Sequence, residues 1–300
     1  MVDSNVFYSR SSGLIENDAL QKKHALIIGL GSFGSQIAVE LAKSAVGRFT
    51  LVDFDRLEAH NIVRHACYLK DVGRLKTDAV AELVLGKNPY ATVEKLPLDV
   101  NTDTARIEFA VKESDLVIVA TDNNKSRFLM SDFISHYGKT GIYGRANSRA
   151  EGGDVFVQRS DGPCYGCLVG NRAFDTSAQE VSYREAGLRS GAIAAYTAPE
   201  DVAAIIQVGL ASDIAPITNL MVKIALVELS KGTNGGLASL ENELVYNYWM
   251  WANRREKRFK NWAPFPESGR RPSILRWCGA HIAKDEHCPL CGENEGLLDV

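Results

Sequence analysis

The pattern of apolar and polar positions along this chain predicts strands that alternate with helices. Apolar runs typical of buried parallel strands occupy 24–28, 49–52 and 116–120. Further strand patterns follow at 92–100, 140–146, 153–159 and 244–251, and apolar residues recur at helical spacing over 35–45, 74–86, 102–112, 123–137, 200–211 and 215–231. Because the first strand, helix and second strand form one continuous unit, we expect an α/β fold of the dinucleotide-binding type.

A glycine loop, Gly-Leu-Gly-Ser-Phe-Gly at 29–34, lies between the first predicted strand and the helix that follows it. Gly29 permits a tight turn, Gly31 lets the backbone approach a phosphate, and Gly34 lets the helix pack close to the strand. The free N–H groups at the start of the helix favour an anion. Asp53 follows the second strand, about 20 residues beyond the glycines, where an acid binds ribose hydroxyls. By itself this pattern indicates a nucleotide and favours NAD.

The residues that come after Asp53 favour a triphosphate over NAD. Asp55, Asn61, Arg64 and Lys76 follow in one short stretch of the chain. A dehydrogenase requires one acid for the ribose and has no use for a second acid, an amide and two cations in series. A triphosphate site uses all of them, because arginine and lysine neutralise phosphate oxygens and a metal ion binds carboxylates.

Together these segments resemble the adenylation core of the MoeB/ThiF and ubiquitin-activating enzyme superfamily. The resemblance rests on Gly-Leu-Gly-Ser-Phe-Gly, Val-Asp-Phe-Asp, Asn-Ile-Val-Arg-His and Val-Gly-Arg-Leu-Lys, and it extends from about Phe7 to about Gly292. It implies an α/β fold with a Rossmann-like, doubly wound, mostly parallel sheet, an added antiparallel portion and a structural zinc site. It also implies an arm at 1–22 and one adenylation domain at 23–300, with a nucleotide half at about 23–150 and a zinc-stapled, partner-binding half at about 151–300.

The activity implied by the resemblance is ATP-dependent adenylation of the C-terminal glycine carboxylate of a ubiquitin-like, β-grasp protein, with release of pyrophosphate. The implied site residues are a nucleotide cradle (Gly29, Gly31, Gly34), a ribose ligand (Asp53), phosphate ligands (Asn61, Arg64, Lys76) and ligands of Mg²⁺ (Asp122, with Asp55). Asp122 follows the predicted strand at 116–120, at the strand end where α/β sheets place ligands. An aspartate there can also cap the next helix, but its position favours the metal role.

The N-terminal arm contains Tyr8-Ser9-Arg10, which resembles a Tyr-x-Arg motif of the family. In relatives that arginine reaches the nucleotide of the partner subunit, so the resemblance implies a homodimer in which Arg10 acts in trans. The alternative is an exposed arginine on an arm without a role in the site.

Four of the six cysteines form two Cys-x-x-Cys pairs, Cys164 with Cys167 and Cys288 with Cys291. Four thiolates suit a closed, tetrahedral zinc site, whereas one pair alone would also suit a redox motif. The family's zinc site likewise joins a mid-chain pair to a C-terminal pair. Metal-bound cysteines indicate a reducing compartment, so we expect a cytoplasmic protein.

The cysteine that many relatives carry before a Glu-Ala-Gly motif is absent, and Tyr183 stands in its place. No cysteine lies between Cys167 and Cys278. The adenylate therefore passes directly to another protein's nucleophile, which we favour, or forms an oxyester on a hydroxyl (Ser182, Thr176 or Ser177), or reaches Cys278 after a movement of the chain. Otherwise Cys67 and Cys278 are expected to be small, buried apolar residues.

Composition restricts the partners. Apolar residues make up 45% of the chain, charged residues make up 24% and the net charge is −3, so neither nucleic acid nor a membrane surface is expected as a partner. No apolar run has the length of a membrane span, and the N-terminus shows no signal-peptide pattern. The basic, aromatic segment at 252–277 fits either an acidic partner or a solvated loop whose aromatic residues pack on the core, and we favour the loop.

The expected partners are the ubiquitin-like protein and a downstream carrier or conjugating protein. Three alternatives stay open. A sulfur-carrier activator of molybdopterin or thiamine type would catalyse the same reaction in another pathway. An NAD(P)-dependent oxidoreductase needs only the glycine loop and Asp53. A non-catalytic half of a heterodimeric activating enzyme would not need the full set of phosphate-binding residues.

Overall fold

A computed structural model describes residues 3–170, 209–256, 259–263 and 273–292. The strands are β1 (His24–Ile28), β2 (Arg48–Val52), β3 (Thr92–Leu96), β4 (Leu116–Val119), β5 (Gly141–Ala146), β6 (Gly152–Gln158), β7 (Tyr248–Ala252) and β8 (Trp277–Ala280). The helices are α1 (Ser4–Phe7), α2 (Asn17–Leu20), α3 (Gly34–Lys43), α4 (Lys76–Lys87), α5 (Thr104–Glu113), α6 (Asn124–His136), α7 (Tyr165–Gly170) and α8 (Ala211–Leu229). Short 3₁₀ segments lie at Ser9–Ser11, Ala59–Asn61, Leu69–Asp71, Ser148–Ala150 and Gly236–Glu243. Within these described ranges, no helix combines the length and the apolar content that crossing a bilayer requires.

The described strands form one mixed sheet in the order β3-β2-β1-β4-β5-β6-β7-β8. The pairings from β3 to β5 are parallel, and those from β5 to β8 are antiparallel. The chain moves outward from β1 to β3 and then returns to β4 on the other side of β1, as in doubly wound folds. The expected sheet, mostly parallel with an added antiparallel portion, is confirmed.

Side chains of the sheet alternate between two faces, and helices cover both. On β1, Ala25 and Ile27 belong to the core layer that includes residues of α3, α4 and α8, whereas Leu26 and Ile28 belong to the layer that includes residues of α5, α6 and α7. All five residues of β1 are buried, as expected for a parallel strand between two helical layers. Burial of each such leucine or isoleucine side chain contributes about 1.5–3 kcal/mol.

The structure corrects three predicted boundaries and adds one strand. The strand predicted at 92–100 ends at Leu96, because Pro97 has no N–H to continue the ladder. The strand predicted at 244–251 begins only at Tyr248, and β8 was not predicted. The helix predicted from 215 begins at Ala211, so Ser212 and Asp213 lie inside its first turn, where an acid is favoured by the helix dipole. The helix predicted at 200–211 lies largely outside the described residues.

Two glycines set the distances between the end of β1, the start of α3 and the end of β4. Gly29 has φ +86°, and a Cβ there would lie 2.9 Å from the carbonyl oxygen of Ala120. A Cβ on Gly34 would lie 1.8 Å from the carbonyl oxygen of Gly29. Both glycines therefore have the steric role that the loop pattern predicts, and α3 can begin this close to β1 only because Gly34 has no side chain.

Replacing Gly34 should separate α3 from the glycine loop. We expect Gly34→Ala to lower the free energy of unfolding by about 1–3 kcal/mol, the usual effect of overpacking. The control is Gly86→Ala in α4, where a Cβ would meet no atom within 4 Å and helix propensity predicts a gain of about 0.5–1 kcal/mol. Urea unfolding measures both variants. Equal effects of the two substitutions would contradict the close approach at Gly34.

Candidate functional site

The candidate site lies where β1 and β4 end side by side. The two strands pair in parallel, and the Ala120 N–H donates to the Ile28 carbonyl at 2.8 Å. The loop leaving β1 leads to α3 on one face of the sheet, and the turn leaving β4 leads to α6 on the other. Because these connections go to opposite faces, a crevice opens at the carboxyl ends of the strands, which is the usual ligand position in such sheets.

The glycine loop is open on one side and braced on the other. A Cβ on Gly31 would meet no atom within 4 Å, in contrast to Gly29 and Gly34. The Ser35 hydroxyl donates to the Gly31 carbonyl at 2.7 Å and accepts from the Ala66 N–H at 3.2 Å. An open backbone at the start of a helix fits a phosphate-bearing ligand.

Asp53 connects the end of β2 to this loop. Its Oδ2 accepts from the Leu30 N–H at 2.7 Å, and its Oδ1 accepts from the Asp55 N–H at 2.8 Å. Burial raises the pKa of this carboxyl, while Lys76 and the two N–H donors oppose the increase. Asp53 therefore orients the glycine loop from the end of β2, where the sequence pattern predicts a ribose ligand.

Lys76, the first residue of α4, lies within a group of acids. Its Nζ is 2.7 Å from Asp55 Oδ2 and 3.8 Å from Asp53 Oδ1, and its side chain is only 11% exposed. Burial by itself lowers the pKa of the ammonium, but the charges of Asp53, Asp55 and Asp122 outweigh burial and raise it. The lysine is thus held cationic at the crevice, with Asp122 within electrostatic range.

Arg64 is a half-buried cation that directly precedes His65, the residue that contacts the glycine loop. Burial lowers the pKa of its guanidinium, which stays charged at neutral pH. Over the described ranges, no carboxylate forms an ion pair with Arg64. A Cβ on Gly209 would lie 3.5 Å from Arg64 Nη1, so the chain entering α8 passes next to it. A desolvated arginine without a carboxylate partner suits a phosphate ligand.

Asn61 has a local structural role in this structure. Its Oδ1 accepts from the Glu58 N–H at 3.0 Å and caps the 3₁₀ segment Ala59–Asn61. The segment turns the chain toward Arg64, whose N–H donates to the Asn61 carbonyl at 2.9 Å. The amide nitrogen of Asn61 has no hydrogen bond within the described residues.

Asp122 does not cap α6. The capping residue is Asn123, whose side chain accepts from the Ser126 N–H at 2.9 Å. The exposed side chain of Asp122 has no hydrogen bond or ion pair to any residue that the structure describes. The capping alternative for Asp122 is therefore wrong, because the neighbouring asparagine supplies the cap and leaves this carboxylate available to a cation.

His65 is a residue of the site that sequence reasoning missed. It is buried, its Nε2 lies 2.6 Å from the Leu30 carbonyl, and its Nδ1 accepts from the Cys67 N–H at 3.1 Å. A carbonyl can only accept, so Nε2 carries the proton and donates to Leu30. His65 thus holds the glycine loop from the side opposite Asp53. In the sequence, only its position directly after Arg64 could have indicated that His65 belongs to the site.

One predicted residue, Arg10, is not brought to the crevice of its own chain. Arg10 is exposed on the arm, which pairs through Gly13 and Leu14 with residues 236 and 237, beyond the carboxyl end of α8. Gly209, next to Arg64, precedes the amino end of that helix of 19 residues, which is about 28 Å long. Arg10 is therefore remote from Arg64 of its own chain. Ser182, with Thr176, Ser177 and Tyr183, lies outside the described residues.

The two Cys-x-x-Cys pairs converge. The Sγ atoms of the four cysteines all lie within 4.8 Å of one another, with separations of 3.8, 3.4 and 3.4 Å for three of the pairs (Cys164–Cys167, Cys164–Cys288, Cys167–Cys291). Tetrahedral zinc with bonds of about 2.3 Å requires sulfur separations of about 3.8 Å, so the four residues fit a closed zinc site. Hydrogen bonds from the Cys164 thiol and the Asp285 N–H lower the pKa of Cys167 below its ordinary value, which favours the thiolate.

The two other cysteines are unsuited to attack the adenylate. Burial raises the pKa of the Cys67 thiol to about 12 and also raises the pKa of Cys278. Cys278 is half-buried on β8, five strand positions from β1 in the sheet, or about 24 Å. A protonated thiol at that distance does not support the alternative in which Cys278 receives the acyl group.

The described part of the segment 252–277 packs against its own chain. Arg254 forms ion pairs with Asp213 and Glu256 and donates to the Arg149 carbonyl. The Trp251 and Trp277 rings lie 5.2 Å apart. These contacts hold the turn between β5 and β6, where Arg149 adopts φ 60°, next to the entry to α8.

Comparison with known proteins places this geometry in a family context. Residues 8–265 match the sequence model of the ThiF family. The SAMP-activating enzyme E1 of Haloferax volcanii is 33% identical over 150 residues, which cover 50% of this chain and 54% of that protein. The sulfur carrier protein adenylyltransferase of Thermus thermophilus is 30% identical over 156 residues, covering 50% and 57%. The chain thus spans about half the length of these curated relatives.

Solved structures share the fold. Escherichia coli MccB with ATP superposes with a TM-score of 0.63 at 16% identity, covering 92% of this chain and 68% of MccB. PaaA superposes with a TM-score of 0.58 at 18% identity, covering 90% and 67%. At these identities the likeness concerns the fold alone.

His65 should make the protein less stable in acid. Its Nδ1 already accepts a hydrogen bond, so a second proton would break that contact. Burial lowers the pKa of His65 from 6.5, so below that pH the unfolded chain binds more protons than the folded one. The free energy of unfolding should therefore fall as the pH falls below about 6.5, by at most about 1.4 kcal/mol per pH unit from this one group.

Urea unfolding from about pH 7.5 to about pH 5 checks this dependence. His65→Gln can still donate to Leu30 but cannot titrate, so its pH dependence should be shallower than that of the native protein. His136→Gln, at an exposed position, is the control and should keep the native dependence. Parallel curves for native protein and His65→Gln would contradict the role of His65.

Proposed function

Because the chain belongs to the ThiF family, we propose that it uses ATP to adenylate the C-terminal glycine carboxylate of a ubiquitin-like, β-grasp protein and releases pyrophosphate. The names of two relatives support this, since one activates SAMP and the other adenylates a sulfur carrier protein. Activation of a sulfur carrier is the same reaction, and only the fate of the adenylate differs.

One observation carries the proposal: cations and carboxylates for a triphosphate meet beside the open glycine loop. Lys76 is bracketed by Asp53 and Asp55, and Arg64 lies nearby without a carboxylate partner in the described chain. An NAD site would require only Asp53. The cluster of Lys76, Asp53 and Asp55 beside the glycine loop also argues against a non-catalytic scaffold half.

The reaction needs positioning and charge neutralisation more than covalent catalysis. A carboxylate oxygen of the substrate attacks the α-phosphorus of ATP, the new P–O bond forms, and the bond to the bridging oxygen breaks as pyrophosphate leaves. Asp53 binds a ribose hydroxyl and still accepts the Leu30 N–H, since a carboxylate has about four acceptor sites. Arg64, Lys76 and the amide nitrogen of Asn61 bind phosphate oxygens.

Binding of the triphosphate would redistribute contacts around Lys76. Phosphate oxygens compete with Asp55 for the ammonium, which leaves the Asp55 carboxylate free beside Asp122. Both carboxylates fit Mg²⁺, which prefers oxygen ligands. A Mg²⁺ ion held by these carboxylates would supply positive charge to the leaving pyrophosphate.

The acceptor of the acyl group is expected to belong to another protein. No cysteine replaces the missing one within the sequence, and the two cysteines outside the zinc cluster have raised pKa values. We therefore propose direct transfer to a downstream carrier or conjugating protein. An oxyester on Ser182 is the competing hypothesis, and a base-labile, thiol-resistant adduct in the intact mass would support it.

We further propose a homodimer in which Arg10 completes the site of the partner. Arg10 is remote from Arg64 of its own chain, because a helix of about 28 Å separates the two regions. A two-fold dimer can bring an arm of one protomer to the crevice of the other.

A peptide is the second candidate substrate. The fold that matches 92% of this chain is also that of MccB, solved in complex with N-formylated MccA, and MccB acts on a peptide. The same crevice would then receive a short carboxyl-terminal segment without a folded β-grasp domain.

ATP should stabilise the protein in the presence of Mg²⁺. At a hundredfold excess over the dissociation constant, we expect a gain of about 2.7 kcal/mol, measured by thermal unfolding, and no gain with NAD. Asp122→Asn should lose most of the Mg²⁺-dependent gain, whereas Asp132→Asn, an exposed control on α6, should keep it. Stabilisation by NAD alone would overturn the proposal in favour of an oxidoreductase.

ATP–pyrophosphate exchange then identifies the substrate class. Exchange with a β-grasp protein that ends in glycine, lost when the last glycine is removed, supports the proposal. Lys76→Ala should lower this exchange by about a hundredfold or more, since it removes a cation beside the transferred group. Exchange with a free peptide of the same last residues, and none with the folded protein, would favour the peptide candidate.

Mixing of inactive subunits tests the role of Arg10. Arg10→Ala and Lys76→Ala should each be inactive alone. After exchange of subunits, half of the dimers carry one intact site, so the activity should recover to about a quarter of the native value. A mixture of Lys76→Ala with Asp122→Asn is the control, because both changes damage the crevice of their own chain without affecting the arm. No recovery in the first mixture would exclude action in trans.

A further inference from the structure

The Cys₄ cluster and the Asp122 turn, residues 121–124, are joined by one buried side chain. We propose that Tyr165 is a positioning residue whose hydroxyl transmits the order of the cluster to this turn and thereby fixes the position of the Asp122 carboxylate. The role of the Asp122 carboxylate as a Mg²⁺ ligand rests on the proposed function. The chain of contacts from the cluster through Tyr165 to the turn is observed in the structure itself.

The cluster determines where Tyr165 lies. Tyr165 stands between the ligands Cys164 and Cys167 and is fully buried. Its N–H donates to Ser131 Oγ on α6 at 3.0 Å, and its ring stacks on Tyr143 with centroids 5.1 Å apart. A zinc ion that holds both cysteines would therefore hold the tyrosine between them.

The hydroxyl of Tyr165 has one available orientation. Arg145 Nη1 donates to it at 3.3 Å, and Arg145 forms a buried, bidentate ion pair with Asp154 at 2.8 and 2.7 Å. A guanidinium has no acceptor, so the hydroxyl accepts from Arg145 and directs its own proton to Asn124 Oδ1, 2.8 Å away. The hydrogen bond to Asn124 is thus set by the chemistry of its neighbours.

Asn124 is the last residue of the Asp122 turn and the first residue of α6. The other end of the turn is held from α6 itself, since the Arg127 guanidinium donates to the Thr121 carbonyl and the Ser126 hydroxyl donates to Thr121 Oγ1 at 2.7 Å. The side chain of Asp122 is exposed, and its position depends on the backbone of the turn. Loss of the Tyr165 contact should therefore loosen the segment that carries this carboxylate.

Tyr165→Phe removes only the hydroxyl and keeps the ring. The matched control is Tyr143→Phe. Tyr143 is also a buried tyrosine of the same core layer, and its hydroxyl donates to Gln158 Oε1 at 2.9 Å, with no contact to the Asp122 turn. Each substitution removes one hydrogen bond of a buried hydroxyl, so both should destabilise the fold by about 0.5–1.5 kcal/mol. Only Tyr165→Phe should affect the turn.

The first measurement uses the protein without nucleotide. Hydrogen exchange of the backbone amides at 121–126 should quicken about tenfold in Tyr165→Phe and stay native in Tyr143→Phe, with one zinc per chain in all three proteins. Removal of zinc by a chelator should quicken exchange in native protein and in Tyr143→Phe, and add little in Tyr165→Phe. Equal exchange at 121–126 in the two variants would overturn the proposal, as would further quickening of Tyr165→Phe by the chelator.

The second measurement is the Mg²⁺ concentration at which ATP stabilises the protein half-maximally. Residues that orient a metal ligand typically change affinity by about 10- to 100-fold when replaced, so we expect the midpoint of Tyr165→Phe to rise about tenfold. The midpoint of Tyr143→Phe should stay native. An unchanged midpoint in Tyr165→Phe would overturn the effect on Asp122.

If Tyr165→Phe loses zinc or fails to fold, Asn124→Leu replaces it as the test variant, because it removes the same hydrogen bond from the acceptor side. Where both fold, the double variant should equal the single ones, because the two side chains act through one contact. Additive effects would contradict that contact. The two measurements separate failure of this proposal from failure of the proposed function. If the proposed function is wrong, native protein shows no Mg²⁺-dependent stabilisation by ATP. The hydrogen-exchange result still decides whether Tyr165 connects the cluster to the turn.

Discussion

The buried carboxylate of Asp53 is the constraint on which the rest of the site depends. It accepts hydrogen bonds from the loop that leaves β1 and from the chain that leaves β2, and it attracts the lysine that begins α4. Three connections at the carboxyl edge of the sheet are therefore ordered around two oxygens. A charge this buried is costly unless such partners are present, so the loop, the acid and the lysine have to be in place together.

The glycine loop is held from both sides by groups of opposite chemistry. Asp53 accepts from the N–H of Leu30, and His65 donates to the carbonyl of the same residue. One peptide segment is thus fixed at both of its polar atoms, while the Gly31 side of the loop stays open. Rigid walls around an open backbone suit the binding of a nucleotide phosphate without reorganisation.

Polar side chains form a second organising layer within the antiparallel part of the sheet. Arg145 and Asp154, on neighbouring strands, form a buried ion pair, and Tyr165 connects it to α6. A buried pair of this kind is weak evidence for stability, but it specifies how its neighbours are oriented. The Cys₄ cluster and the crevice are consequently two ends of one network.

Much of this arrangement could be predicted from the sequence, because some residue types serve few purposes. The glycines at 29, 31 and 34, the acid at Asp53 and the two Cys-x-x-Cys pairs have spacings that follow from backbone sterics and metal geometry, so the loop and the Cys₄ cluster were foreseen. The contact between Lys76 and Asp55 was not, because the spacing of charges does not say which pair will meet.

The sequence by itself determined the order of strands β1 to β7 and of helices α3 to α6, the open glycine loop and the two pairs of cysteines suited to a metal, since periodicity and local sterics suffice for these. Only the tertiary structure decided that Asn123 caps α6 in place of Asp122, that His65 holds the loop, and that Tyr165 reaches Asn124 across 41 positions of the chain. The Asn123 cap is local, and the structure decides only which of two neighbouring residues provides it, whereas the contacts of His65 and Tyr165 join segments that no local pattern relates. They exist because the fold brings buried polar atoms together, and each such atom requires a partner.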